Sequence, residues 1–423
     1  MAAAIKTTPL NRWHRDQGAN MADFGGYDMP LWYSSVKDEH LAVLTAAGVF
    51  DTSHMPALTV SGPDAADLLQ FCFTNDLNAC MGPSKKPLVP GRCVYGAFLN
   101  NLGHCIDDAI VFFLAQAHYL VVVNAGMGAA VSGHLRQNLG RRDALVTDLT
   151  DQLGKMDLQG PAAAKILAPL LADPKAVFKA MPYFAFKGHF DSAASPADAV
   201  LLDDGTPILL SRTGYTGEFG FEIFLAPSKL QGLWERLLEA GQPYGIKSCG
   251  LAARDSLRAG AVLPLSHQDI GPWPFINHPW PFALPFNTQQ TGFTKPFIGR
   301  AVLEMPEQAA FTHAFVGWDL RKITAGAESR VMDTDNREIG TVLTCATDVG
   351  IGLHEGKIFS VASPDKPADF VAKGLCCGFV KVNRQLSAGQ TVQLADRRRT
   401  ISVTISDDVR PDRTARRSMA EML

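Results

Sequence analysis

Arg92-Cys93-Val94-Tyr95-Gly96-Ala97-Phe98-Leu99, then Asn100-Asn101-Leu102-Gly103, then Cys105-Ile106-Asp107-Asp108-Ala109-Ile110-Val111-Phe112-Phe113-Leu114, is the stretch that sets the fold class. Two apolar runs flank a polar junction ending in glycine, which reads as a hairpin turn. A third run, His118–Ala125, follows at once. Strands that adjoin strands pair antiparallel, so the region reads as mixed α+β. Working outward, apolar residues recur at helical spacing over Val36–Phe50, with a strand at Ala57–Ser61. Further helices are expected at Gly62–Cys72, Met127–Leu139, Pro161–Leu171, Lys229–Ala240 and Gly250–Ala261. From Gly271 to Pro296, Gly-Pro-Trp-Pro and His-Pro-Trp-Pro leave no periodicity. Proline at that density excludes helix and central strand, so a domain-crossing loop is expected. Short alternating runs then recur at Ala314–Leu320, Glu338–Leu343, Gly378–Val382, Thr391–Leu394 and Ile401–Ile405. They predict a second, all-β domain of barrel or sandwich type.

The 423 residues are enough for two or three domains. With 39 basic and 42 acidic residues the net charge is −3, which does not fit a dedicated nucleic-acid binder. Hydrophobic residues make up 47% and charged residues 19%, enough for a sizeable core and too apolar for wholesale disorder. No apolar run reaches the roughly 18–20 residues needed to span a membrane; Ala109–Ala125 is broken by Gln116 and His118. The start, Met1–Pro9, has no apolar stretch of signal-peptide length, and the eight cysteines form no C-x-x-C pair. A reduced cytoplasmic setting is therefore expected. Eleven scattered histidines show no metal-ligand spacing, so no metal is expected. Gly126-x-Gly128-x-x-Val131 mimics half of a dinucleotide fingerprint, but the third glycine is missing and hairpins precede it.

Three constellations could carry chemistry. Asp107-Asp108 sits inside an apolar strand, where neighbours point to opposite faces. Two such acids need donors or water. They read either as an edge acid plus a loop cap, or as a carboxylate lining a ligand cavity. Glu222 lies between Phe221 and Ile223, just after the glycine-rich Arg212–Glu218. It could accept two parallel N–H bonds from a flat heterocycle, or pair with an arginine. Arg254 and Arg258 share a helix face, as a carboxylate fork or as an ordinary solvated face. The basic residues Arg397–Arg399 and Arg413, Arg416 and Arg417 read as a solvated turn and tail.

Many segments, in order, resemble the tetrahydrofolate-dependent aminomethyltransferase family of the glycine cleavage system. They include Asp23-Phe24-Gly25-Gly26, Ala47-Gly48-Val49-Phe50-Asp51 with Ser53-His54-Met55, Thr74-Asn75-Asp76, Ile106–Val111 and Leu158-Gln159-Gly160-Pro161. Arg212–Glu218, Gly250–Arg258 and Phe297-Ile298-Gly299-Arg300 complete the set. The resemblance implies an α+β fold of subdomains in a ring around the folate, with antiparallel sheets, followed by a C-terminal barrel-like domain. The expected division is 8–285 for the folate-binding part, 286–310 as connector, 311–410 as barrel and 411–423 as a basic tail.

The resemblance assigns Asp107 as the catalytic aspartate, Glu222 as the pterin-binding acid and Arg254 as a folate-site arginine. Tyr95, Met55, Asn124 and Tyr215 match positions lining or supporting the cavity. It implies a monomer that moves an aminomethyl carbon from the lipoyl arm of H-protein to tetrahydrofolate as co-substrate. The products would be 5,10-methylenetetrahydrofolate and ammonia. Nucleic acid and membrane are not expected partners. Two departures from the family pattern stand out. Arg258 is followed by Ala259-Gly260-Ala261-Val262, and the family's next tyrosine is replaced by Ser266. These motivate a second reading, a folate-dependent demethylase acting on a small methyl donor. A non-catalytic folate-binding assembly factor is a third.

Overall fold

The computed structural model describes residues 5–190 and 199–423. The expectation about the start therefore falls partly, at 1–4, outside the described residues. The hairpin is present: Arg92–Leu99 pairs antiparallel with Cys105–Ala115, which pairs with His118–Val122. Ala57–Ser61 and Leu145–Asp148 complete a five-stranded antiparallel sheet. Helices Ala65–Cys72 and Gly128–Gln137 cover one face, burying Leu68, Leu69, Val131 and Leu135 against Leu58, Val60 and Val121. The half-fingerprint at Gly126 thus opens a helix after antiparallel strands, with no βαβ unit around it.

A second sheet runs in the order Phe186–Gly188, Pro207–Ser211, Gly220–Leu225, Gly154–Gln159, Gly48–Asp51, Lys247–Ser248, with Val200–Leu201 on Pro207–Ser211. Its last pair, Lys247–Ser248 on Gly48–Val49, is parallel. Helices Ala163–Leu167 and Leu230–Gly241 cover its outer face, with Trp234 fully buried. The two sheets meet through Phe112, Leu120, Phe186, Leu209 and Phe224. Here the structure corrects one reading. Helix Val36–Thr45, capped by the Ser35 side chain, stops where Ala46 leaves helical backbone, and Gly48–Asp51 is a buried strand. Gly154–Gln159, central in this sheet, is buried at all six residues, the polar Lys155, Asp157 and Gln159 included.

The third part is a closed barrel in the order Phe311–Gly317, Leu375–Val382, Glu338–Asp348, Arg330–Met332, Thr391–Ala395, Thr400–Ile405. Glu338–Asp348 runs five residues beyond the expected Leu343. Helix Leu251–Gly260 lies against this barrel so closely that a Cβ at Gly260 would sit 1.9 Å from Asp348 Oδ2. The proline-rich Gly271–Pro296 contains only the short 3-10 turns Phe275–Asn277 and Pro281–Ala283. It is no exposed linker: Trp280, 1% exposed, packs with Ala97 and Leu99 of the hairpin and Phe379 of the barrel.

The basic residues divide. Arg397–Arg399 form an exposed turn, as expected. Residues Arg410–Leu423 are instead a docked strap. Buried Arg410 pairs with Asp348 of the barrel and Glu218 of the glycine-rich loop, and donates to Thr216 O. Thr414 Oγ1 donates to Glu218 Oε2 at 2.6 Å, Arg212 donates to the carbonyls of Ala415 and Arg417, and Met422 joins the second sheet's core. No helix among the described residues is long and apolar enough to cross a membrane.

Candidate active site

All three parts line one cavity of about 2060 Å3. Strand Cys105–Ala115 carries the paired acids Asp107 and Asp108. Asp107 pairs in register with Phe98 and Asp108 with Ala97, so the two side chains leave opposite faces. Asp107 is wholly enclosed. It accepts from the Asn124 backbone N–H at 2.8 Å, Asn124 Nδ2 at 2.9 Å and Ser266 Oγ at 2.9 Å. Asp108 faces the cavity. It accepts from the Tyr95 hydroxyl at 2.8 Å and Asn124 Nδ2 at 2.8 Å. Tyr95 lies diagonally across the strand pair from Asp108, on the same face, and its ring meets that of Phe282 at 5.7 Å. Burial, and then the neighbouring Asp107 carboxylate, push the Asp108 carboxyl up to about 6. The cavity-facing acid is therefore the second of the pair. Asp107, which the resemblance assigns as catalytic, lies enclosed behind the cavity wall, with its oxygens bonded to the Asn124 backbone N–H, Asn124 Nδ2 and Ser266 Oγ.

The opposite wall is a chain of alternating charges. Glu222, 6% exposed, accepts from Lys155 Nζ at 2.7 Å and from the Thr213 hydroxyl. Lys155 also donates to Asp157 at 2.8 Å, and Arg254 Nη1 donates to Asp157 Oδ2 at 2.6 Å. Burial alone would raise Asp157; the Lys155 and Arg254 cations outweigh it and hold the carboxyl near 2. Arg254 lies over the Tyr215 ring at 4.9 Å, and the Tyr215 hydroxyl donates to Pro264 O. The turn that brings Tyr215 here needs glycine: a Cβ at Gly214 would meet Gln159 Oε1 at 2.1 Å. Met55 and His54 line the wall between, His54 with a buried Nδ1 that has no hydrogen-bond partner among the described residues. Burial lowers the His54 imidazole to about 4, so it is neutral at pH 7.

Asp108, Glu222, Arg254, Tyr95, Met55, Asn124 and Tyr215 thus share one hollow, with Asp107 directly behind it. Arg258 does not form a fork with Arg254. It is fully buried and bound by Asp255, Asp269 and Thr344 Oγ1, an internal clamp between helix and barrel. Lys155, Asp157 and His54 were not singled out from sequence. Among the described residues no group of three or more His, Cys, Asp or Glu side chains is placed to hold a metal.

The sequence profile of the GCVT N-terminal domain matches residues 10–273. An aminomethyltransferase of Streptomyces coelicolor is 39% identical over 266 residues, covering 63% of this chain and 65% of that relative, just under two thirds of its length. Aminomethyltransferases of Saccharopolyspora erythraea and Bacillus subtilis are each 33% identical, over 82% and 80% of this chain and 88% and 94% of theirs. The crystal structure of glycine cleavage system aminomethyltransferase T from Bartonella henselae superimposes with a TM-score of 0.73 at 27% identity, covering 95% of this chain and 96% of that one.

Proposed function

The chain belongs to the GCVT aminomethyltransferase family, and from that premise we propose that it transfers the aminomethyl carbon of a lipoylated H-protein to tetrahydrofolate. The observation that carries this reading is Asp108 on the wall of one cavity, with Glu222 and Arg254 across it. In the overall step the carbon's bonds to sulfur and to the amino nitrogen break, and bonds to folate N5 and N10 form. The two folate N–H protons end on the sulfur and on ammonia. Asp108, held by Tyr95 and Asn124 and titrating near 6, is suited to accept a proton beside N5 and to stabilise positive charge developing there. Glu222, anchored by Lys155, keeps free lone pairs for the N–H edge of a pteridine. One hollow holding both reactants supplies much of the remaining barrier reduction through proximity. Eight free cysteines fit a reduced, cytoplasmic setting, and we place the enzyme there as a monomer.

A small methyl donor is the second reading. It is favoured by Ser266 and His267 beside the acid pair and by the aromatic wall Trp280–Phe282, all on the cavity. One assay panel separates them: purified protein and tetrahydrofolate with aminomethylated carrier, then with sulfonium, amine and methoxy donors. Ammonia with 5,10-methylenetetrahydrofolate supports the first reading, and 5-methyltetrahydrofolate without ammonia the second. Folate binding with no turnover on any donor would leave the non-catalytic assembly role.

A further inference from the structure

We infer that His267 is a second proton carrier of this cavity, working on the donor side of the acid pair. The inference deepens the transferase reading and rests on it. It begins with the backbone. His267 sits at φ +63° and Val262 at φ +58°, left-handed conformations that glycine adopts freely and a β-branched residue rarely does. Both residues line the cavity. Strain of this kind persists only where the surroundings impose it, and it gathers at functional sites.

The surroundings are visible. Trp280 Nε1 donates to Val262 O at 3.0 Å, the Tyr215 hydroxyl donates to Pro264 O, and Leu265 N–H donates to Asp269 Oδ2 at 2.9 Å. Gln268 Nε2 donates to Thr344 Oγ1 on the barrel at 2.7 Å. The pinned segment aims two side chains at one atom. Ser266 Oγ donates to Asp107 Oδ1 at 2.9 Å, and His267 Nε2 lies 3.6 Å from the same oxygen. Half of the His267 side chain, 51%, remains exposed, and the residue lines the hollow. The charged groups facing the imidazole are Asp107 and Asp108 from the hairpin strand. The nearby cations are committed elsewhere, Arg254 to Asp157 and Arg258 to Asp255 and Asp269. The Asp107 carboxylate therefore raises the imidazole above its ordinary value and supports its protonated form.

Aminomethyl transfer moves two folate protons, and Asp108 can hold one at a time. Neutral His267 takes one N–H proton as the N–C bond forms, is held as imidazolium by Asp107, and returns the proton to the leaving sulfur. Ammonia receives the other through Asp108. This gives the enclosed Asp107 a positioning role, fixing Asn124, Ser266 and His267 around the reacting acid.

His267→Gly is the decisive variant, because glycine accepts the left-handed backbone and the fold persists. Turnover at pH 7 should fall about 100-fold with tetrahydrofolate affinity unchanged, and added imidazole should restore part of it. His267→Gln should lose as much and show no rescue. Independently of turnover, NMR titration of the unliganded protein should place His267 above about 6.5, and Asp107→Asn should lower that midpoint. Full turnover in His267→Gly, absence of imidazole rescue, or a midpoint indifferent to Asp107→Asn would each overturn the inference. Wild-type protein inactive with every donor would overturn the transferase reading instead, while the coupling of His267 to Asp107 would still be decided by the titration.

Discussion

The two walls of the cavity bury carboxylates equally well and make opposite things of them. On the hairpin wall Asp108 has another acid, Asp107, as its neighbour, with neutral donors Tyr95, Asn124 and Ser266 around the pair. On the other wall Asp157 has Lys155 and Arg254. Burial pushes both acids up, and the neighbours then decide: about 6 for Asp108 and about 2 for Asp157. A carboxyl flanked by a like charge can exchange a proton near neutrality. One flanked by cations is a fixed charge, fit to hold a shape.

The comparison breaks most sharply at Asp108, the acid proposed to react. Asp108→Asn should lower turnover by about 10²–10⁴-fold while folate affinity, measured by calorimetry, stays within a few-fold. A variant with wild-type turnover would show that this wall does no proton work. Next in size is Lys155→Met, which leaves buried Glu222 without its cation and Asp157 with Arg254 alone. Breaking one side of a buried ion pair should destabilise by about 3–5 kcal/mol, read from urea unfolding; a loss under 1 kcal/mol would mean that the charges are solvated. Glu222→Gln should weaken folate binding by roughly 10–100-fold, the loss of a charge-assisted hydrogen bond, with bound-state turnover nearly retained. The smallest and most discriminating effect is the pH dependence of stability. Asp108, raised in the folded protein, binds its proton more tightly there than unfolded. Its contribution is full below 3.8 and is lost as pH rises to about 6. Asp157, lowered, contributes fully above 3.8 and loses it as pH falls toward about 2. Asparagine at 108 should flatten the first slope and asparagine at 157 the second; identical curves for the two variants would erase the distinction.

Much of this was legible before any coordinates. Two acids inside the apolar run Cys105–Leu114 announce themselves, because such a run tolerates charge only where something answers it. Glu222, between Phe221 and Ile223, stands out on the same ground, and Arg254 by sharing a helix face with Arg258. What sequence could not fix was which acid of the pair faces the cavity, since that depends on the pairing register against Arg92–Leu99. Lys155 and Asp157 were hidden for the opposite reason. Charges two apart along a strand look like a solvated face, and only the arrival of Glu222 and Arg254 from distant segments makes their burial tolerable. Likewise Arg413 reads as a tail charge until its acceptor, the Ala261 carbonyl, is seen.

The strap bears on how the hollow comes into being. Arg413, Ala415 and Arg416 form part of its lining, and Arg410 locks the glycine-rich loop to the barrel. These residues follow all six barrel strands along the chain. A ribosome must therefore have made the barrel, and released what comes after it, before the cavity has its full perimeter; a nascent chain carrying Asp108, Glu222 and Arg254 already folded still has an open seam.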